Sequence, residues 1–260
     1  MPATKNFFSP PCRTLFGSVI IGFFLLSCAS DSTTPVSPPE NQPSLNEIMP
    51  LGASRVAGAR PNYESFRYEL FKLLIDGEWD FDFIGTQEDG ANYPDYAGQE
   101  FDNDHEGRGG WTSGQILSGI EGWLDEAGAP EIVLFSSPGG NDALRGLDYD
   151  TIISNVNDII DIIQAANPNV IIIIEQTAPA RSDAMTPALE TYFGDMQRDV
   201  VEIAQAQTTE TSRVVTVDMA SNFGDQYYAD AVHYNEAGAV EVARRYYEVL
   251  QQVLVSAQAN

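Results

Sequence analysis

The sequence predicts an α/β domain, a three-layer α/β/α sandwich around a five-stranded parallel sheet. Three observations carry this. Five short apolar runs alternate along the chain with five longer stretches of helical periodicity. One run, Ile171 to Ile174, is continuous and β-branched, as suits a central parallel strand covered on both faces. The composition, 43% apolar and 20% charged over 260 residues, is that of a globular chain.

The strand-like runs lie at 47–51, 81–84, 132–136, 170–175 and 214–219. Helical patterns occupy 63–74, 114–127, 149–166, 187–207 and 236–255. Asn167-Pro168 closes the third helix, because a residue before proline is pushed out of the helical region. Strand, helix and strand in repetition give a flavodoxin-like arrangement. Ligands of such sheets bind beyond the C-terminal strand ends, so functional residues are expected just after strands.

Residues 1–27 read as an address. Lys5 and Arg13 supply positive charge, and the stretch 15–26 is apolar or small without a charge. This is the pattern of a bacterial secretory signal peptide. Leu25-Leu26-Ser27-Cys28 resembles a lipobox, in which Cys28 becomes the lipidated first residue of the mature chain. The alternative is an ordinary signal peptide with an incidental cysteine. Lipidation of Cys28 would make the lipid anchor the only membrane contact, and Ala29 after it suggests export to the outer membrane or cell surface. Residues 28–45 are a Ser/Thr/Pro-rich tether that buries nothing. The folded domain is then 46–260, and with Cys12 removed in the signal it can form no internal disulfide.

Composition excludes several classes of function. Asp and Glu outnumber Lys and Arg 38 to 13, a formal charge of −25 that repels phosphate backbones, so nucleic acid is not an expected partner. The only lysines are Lys5 and Lys72, and neither follows a glycine-rich loop as P-loop chemistry requires. Two cysteines cannot form a four-cysteine metal site. An imidazole base must be His105 or His233.

Four segments are candidates for chemistry. Gly52-Ala53-Ser54-Arg55 follows the first strand and would raise a serine hydroxyl at the edge of the sheet; the bland reading is a helix N-cap. It lacks the second glycine of a G-x-S-x-G elbow. His105 to Trp111 is a glycine-dense loop that can bring bare backbone N–H groups to a ligand. Gly139-Gly140-Asn141-Asp142 follows the third strand, where Asn141 is a polar ligand or a turn residue. Asp230-Ala231-Val232-His233 places a carboxylate three residues before an imidazole, as an orienting pair or as capping of the last helix.

Together these four blocks resemble the SGNH, or GDSL, hydrolases, whose blocks carry Ser, Gly, Asn and His. Ile48-Met49-Pro50-Leu51-Gly52 and the His105–Trp111 loop are similar to the acetyl xylan esterases of carbohydrate-esterase family 3. The resemblance implies the SGNH hydrolase fold and an ester hydrolase acting on short acyl groups, acetyl favoured, on an acylated carbohydrate. It implies Ser54 as nucleophile, His233 as base and Asp230 as its orienting acid. It also implies an oxyanion hole from the Ser54 and Gly110 backbone N–H groups and the Asn141 amide, with no cofactor and no metal. The rival readings are a general short-chain esterase or lipase-like hydrolase, and a retired site left as a carbohydrate-binding module.

The sequence departs from the family at two places. Ala53 stands where the family has Asp before the nucleophile, and Tyr234 stands where proline usually follows the histidine, a change expected to matter little. His105 is expected to stabilise its loop. Asp102-Asn103-Asp104 lacks EF-hand spacing and is expected to be a solvated acidic loop. Trp111 is either a subsite aromatic or a core residue.

Overall fold

The computed structural model describes residues 46–255. The expected signal peptide, Cys28, the tether and the last five residues of the expected domain lie outside the described residues. No helix among those described is long and apolar enough to cross a membrane.

Strand β1 (Glu47–Gly52) leads into a single helical turn, α1 (Ser54–Ala57), then α2 (Arg67–Asp76). Two two-residue strands follow, β2 (Asp82–Phe83) and β3 (Glu106–Gly107), and then α3 (Ser113–Ala127) and β4 (Ile132–Phe135). The short α4 (Gly140–Arg145) precedes α5 (Tyr149–Ala166) and β5 (Ile171–Gln176). The chain ends with α6 (Pro187–Gln207), β6 (Arg213–Asp218) and α7 (Glu236–Leu250).

All pairings are parallel, in the order β2-β1-β4-β5-β6. The sheet has six strands rather than the expected five, because β3 also pairs with β1. β2 runs beside the start of β1 (Glu47↔Asp82) and β3 beside its end (Gly52↔Gly107). A two-residue strand carries no measurable periodicity, which is why β3 is silent in the sequence.

Side chains alternate across the sheet with period two. Ile48, Leu134 and Ile173 join Phe66, Leu70, Leu74, Val242 and Tyr246 on one face. Met49, Leu51, Val133, Phe135, Ile172 and Ile174 join Ile116, Ile120, Val156, Ile160 and Met196 on the other. So α2 and α7 cover one side, and α3, α5 and α6 the other. The helix expected from 63, α2, starts at Arg67, since residues up to Phe66 are held in a turn by the Ala59–Tyr63 and Glu64–Tyr234 bridges. The last helix stops at Leu250 rather than 255, where the chain turns back and the Val255 N–H donates to the Asn46 side chain.

The short α4 is also a brace for α3. Asp142 is buried, and its carboxylate accepts from the Ser113 N–H at 2.8 Å and the Ser113 hydroxyl at 2.7 Å, at the first residue of α3. Replacing Asp142 by Ala leaves both donors buried without an acceptor. The expected loss is about 1–3 kcal/mol in urea unfolding, with a non-additive double-mutant cycle against Ser113→Ala. A loss under about 0.5 kcal/mol, within the range of ordinary surface substitutions, would contradict this brace.

Candidate active site

The site assembles at the C-terminal ends of β1, β4 and β5. Gly52 ends β1 with its backbone pressed against the neighbouring strand's exit. A Cβ there would sit 2.8 Å from the Ser136 carbonyl oxygen and 2.9 Å from Val56. The chain then turns into α1, with Ala53 as the flanking residue and Ser54 as the first helical one. Ser54 therefore does not cap the helix. Its backbone N–H is one of the donors that a helix start leaves without an intrahelical acceptor.

The Ser54 hydroxyl lies 2.8 Å from His233 Nε2, and His233 Nδ1 lies 2.7 Å from Asp230 Oδ2. Asp230 Oδ1 accepts from the Val232 and His233 N–H groups at 2.9 and 2.8 Å, so the carboxylate is fixed by its own turn. Capping of the last helix belongs instead to Asn235, which accepts from the Gly238 N–H. Partial desolvation raises the pKa of Asp230, but the bonds from Val232 and His233 outweigh it and hold the carboxyl at about 2. Asp230 is thus ionised at any working pH. Tyr63 stacks on the imidazole with centroids 3.8 Å apart and planes 11° from parallel, leaving the ring partly exposed.

Asn141 is the second residue of α4 rather than a turn residue. Its amide donates to the Trp111 carbonyl at 2.8 Å, while Arg145 Nη2, one helical turn on, donates to the Gly110 carbonyl at 2.6 Å. Two side chains of one short helix clamp the Gly110–Trp111 peptide segment. From below, Gly107 backs directly onto α1: a Cβ at Gly107 would lie 2.4 Å from the Ala57 nitrogen. Beside Ser54 opens a cavity lined by Ala53, Asn141, Leu144, Thr177, Phe193 and Val232.

The structure brings Ser54, Asp230 and His233 within hydrogen-bond reach of one another and places Asn141 on the cavity beside them. His105 is not among them. It is buried, its Nδ1 accepts from the Gly107 N–H at 2.9 Å, and its main chain bridges to Gln87. Burial first, then the charges of Arg67 and Arg108, hold its imidazole neutral down to about 2. Trp111 is partly buried against the tilted ring of Trp123, and the Arg108 guanidinium lies 3.8 Å over the Trp123 ring.

Two expectations need correction. The acidic loop is a brace rather than a solvated string: Asp102 accepts from the Phe83 N–H, and Asn103 accepts from buried Arg67 through both its carbonyl and its side chain. Nor is Tyr234 incidental. Its ring is fully buried, and the Arg55 guanidinium lies 4.8 Å from its centroid. Sequence reading named Arg55 only as part of the serine segment and passed over Tyr63 and Arg145. The usable signal was scarcity, since each basic residue in so acidic a chain has many carboxylate and carbonyl claimants.

His105 makes acid stability testable. An unfolded imidazole takes up a proton near pH 6.5, while the folded one does not until about 2. Between those values the unfolded chain holds the extra proton, so this group costs about 1.4 kcal/mol of stability for each pH unit of acidification. Asp102, raised to about 6 chiefly by burial, works in the opposite sense by taking up a proton in the folded state. His105→Gln keeps an acceptor for the Gly107 N–H and should flatten the fall in urea stability between about pH 6 and 4. Parallel pH–stability curves for wild type and variant would contradict this assignment.

Residues 74–240 match the GDSL-like lipase/acylhydrolase family, a span that contains Gly110, Asn141, Asp230 and His233 and begins beyond Ser54. Three solved structures resemble the chain over most of its length. A crystal structure of an acetyl esterase mutant with an acetate ion is 26% identical, covering 80% of this chain and 97% of its own, with a TM-score of 0.69. A carbohydrate esterase of family 3 from Talaromyces cellulolyticus gives the same identity, coverage and TM-score. A family 3 carbohydrate esterase from Clostridium thermocellum is 27% identical over 81% of this chain and 99% of its own, with a TM-score of 0.64. No curated protein matches the chain. With the parallel sheet and the family match in agreement, the chain belongs to the GDSL-like lipase/acylhydrolase family and is a carboxylic ester hydrolase.

Proposed function

We propose that the chain is a serine esterase that removes short acyl groups, acetyl above all, from acylated carbohydrate. The observation that carries this reading is the unbroken hydrogen-bonded line from Asp230 through His233 to Ser54. Likeness to an acetyl esterase and to two family 3 carbohydrate esterases supports the substrate class. Leu144, Phe193 and Val232 give the cavity beside Ser54 an apolar wall for the acyl group.

The reaction follows the line. Ser54 Oγ attacks the ester carbonyl while its proton passes to His233 Nε2, and Asp230 steadies the imidazolium that forms. The tetrahedral oxyanion is met by the Ser54 N–H, the Gly110 N–H and the Asn141 amide. Each such donor contributes about 2.7–4 kcal/mol to the barrier reduction. The imidazolium gives its proton to the leaving alcohol oxygen as the ester C–O bond breaks, leaving the acyl group on Ser54. Water then loses a proton to His233 and attacks the acyl carbon, the acid departs and Ser54 recovers its proton. Ala53 removes no participant, since Asp230 supplies the carboxylate. The same reading places the enzyme at the outer membrane or cell surface by a lipid on Cys28, which mass spectrometry of the native N-terminus tests directly: an unacylated Cys28 would refute it.

The first test is turnover of p-nitrophenyl acetate, with His233→Ala lowering kcat by about 10⁴ or more and His105→Ala altering it less than threefold per folded molecule. Asn141→Ala should cost about 10²–10³ in kcat, together with some order in the Gly110–Trp111 segment that its amide holds. Because Asp230 is ionised throughout, log kcat/KM should rise with pH through one protonation, with a limiting slope of one on the acid side. A slope of two would contradict the assignment. Acetate release from acetylated xylan, set against a chain-length series of simple esters, tests the substrate, and faster turnover of butyrate or longer esters would refute the acetyl preference.

A further inference from the structure

Ser54 and His233 are joined by more than their own hydrogen bond. The next residue, Arg55, is buried, and its guanidinium is spread over four acceptors. Nε donates to the Val232 carbonyl at 2.9 Å, Nη1 to the Ala178 carbonyl at 2.9 Å and the Ser137 hydroxyl at 3.1 Å, and Nη2 to the Pro179 carbonyl at 3.2 Å. Val232 immediately precedes His233. The residue after the serine therefore grips the residue before the imidazole. Tyr234, the residue after the imidazole, lies with its buried ring beneath the same guanidinium. Among the described residues no carboxylate forms an ion pair with Arg55. Its donors go to loop carbonyls and a hydroxyl, so what it contributes is geometry.

We propose that Arg55 is a positioning residue for ester hydrolysis, fixing the distance and angle between Ser54 Oγ and His233 Nε2 by locking the Val232 carbonyl to the serine turn. The proposal rests on the esterase reading above. Ala53 offers no carboxylate to stiffen this turn, so the bracing falls to the side chain two residues on. The planar fork of a guanidinium can hold carbonyls from two loops at once, which a single ammonium nitrogen cannot. Without the lock, the Val232 carbonyl is no longer tied to the serine turn, and a displacement of about 1 Å in a reacting pair costs about 10²-fold in rate.

The test uses full-length purified protein, Arg55→Lys and Arg55→Gln, with p-nitrophenyl acetate as substrate. Both variants should lose about 30- to 100-fold in kcat with KM changed less than threefold, measured per folded molecule by circular dichroism. Lys keeps the charge, so its failure to rescue kcat separates geometry from electrostatics. Should the variants fail to fold, nuclear magnetic resonance of wild type decides: the Arg55 Nε–H should exchange slowly and show scalar coupling to the Val232 carbonyl carbon. A folded Arg55→Lys with wild-type kcat, or an Arg55 Nε–H exchanging as freely as an exposed arginine, overturns the proposal. Absence of any turnover by wild type, by contrast, removes the esterase reading on which it stands, and the two failures are told apart by that control.

Discussion

A charged guanidinium with 7% exposure is the constraint around which the top of this molecule is arranged. Burying such a group without partners costs far more than a domain can spare, so every loop that reaches it must present an acceptor. The exits of β4 and β5 and the Asp230–His233 turn all do so, through Ser137, Ala178, Pro179 and Val232. Beneath lies a second buried polar group: Glu175, fully buried at the end of β5, accepts from the Tyr246 hydroxyl at 2.7 Å and the Ser137 N–H at 2.8 Å. Burial raises the pKa of Glu175, and the nearby positive charge of Arg55 opposes that rise. A polar layer in which Arg55 and Glu175 both find partners thus sits on an apolar parallel sheet.

The other end of the serine turn is held by a second buried arginine. Arg67 Nε donates to the Val56 carbonyl at 2.8 Å and Nη2 to the Ala57 carbonyl at 3.1 Å, taking up carbonyls that so short a helix cannot satisfy itself. It also pairs with Asp89 and with Asn103, which ties α1 to the acidic loop. A four-residue helix has little stability of its own. Held at both ends by buried guanidinium groups and backed by Gly107, it can present Ser54 in one orientation.

Long elements were legible in the sequence because their periodicity runs over many residues. The helices Tyr149–Ala166 and Pro187–Gln207 fall where the pattern puts them, and the Ile171–Gln176 strand is where the β-branched run predicts it. The elements that shape the site are the ones periodicity cannot reach: α1 with four residues, α4 with six and β3 with two. The positions of Ser54, Asp230 and His233 could be read from local motifs, since the proposed nucleophile, base and orienting acid need particular residue types. Arg55 and Tyr63 act through contacts to residues more than 80 positions away, and no local spacing encodes those. Tyr234 was misjudged for the same reason, its weight lying in the buried ring beneath Arg55.

The central claim is that Ser54 carries the acyl group. The most direct measurement is rapid acid quench of the enzyme during turnover of p-nitrophenyl acetate, followed by peptide mass spectrometry. The account requires one added acetyl group, on the peptide containing Ser54, absent from Ser54→Ala. Turnover with the acetyl group on another side chain, or undiminished turnover by Ser54→Ala, would contradict it.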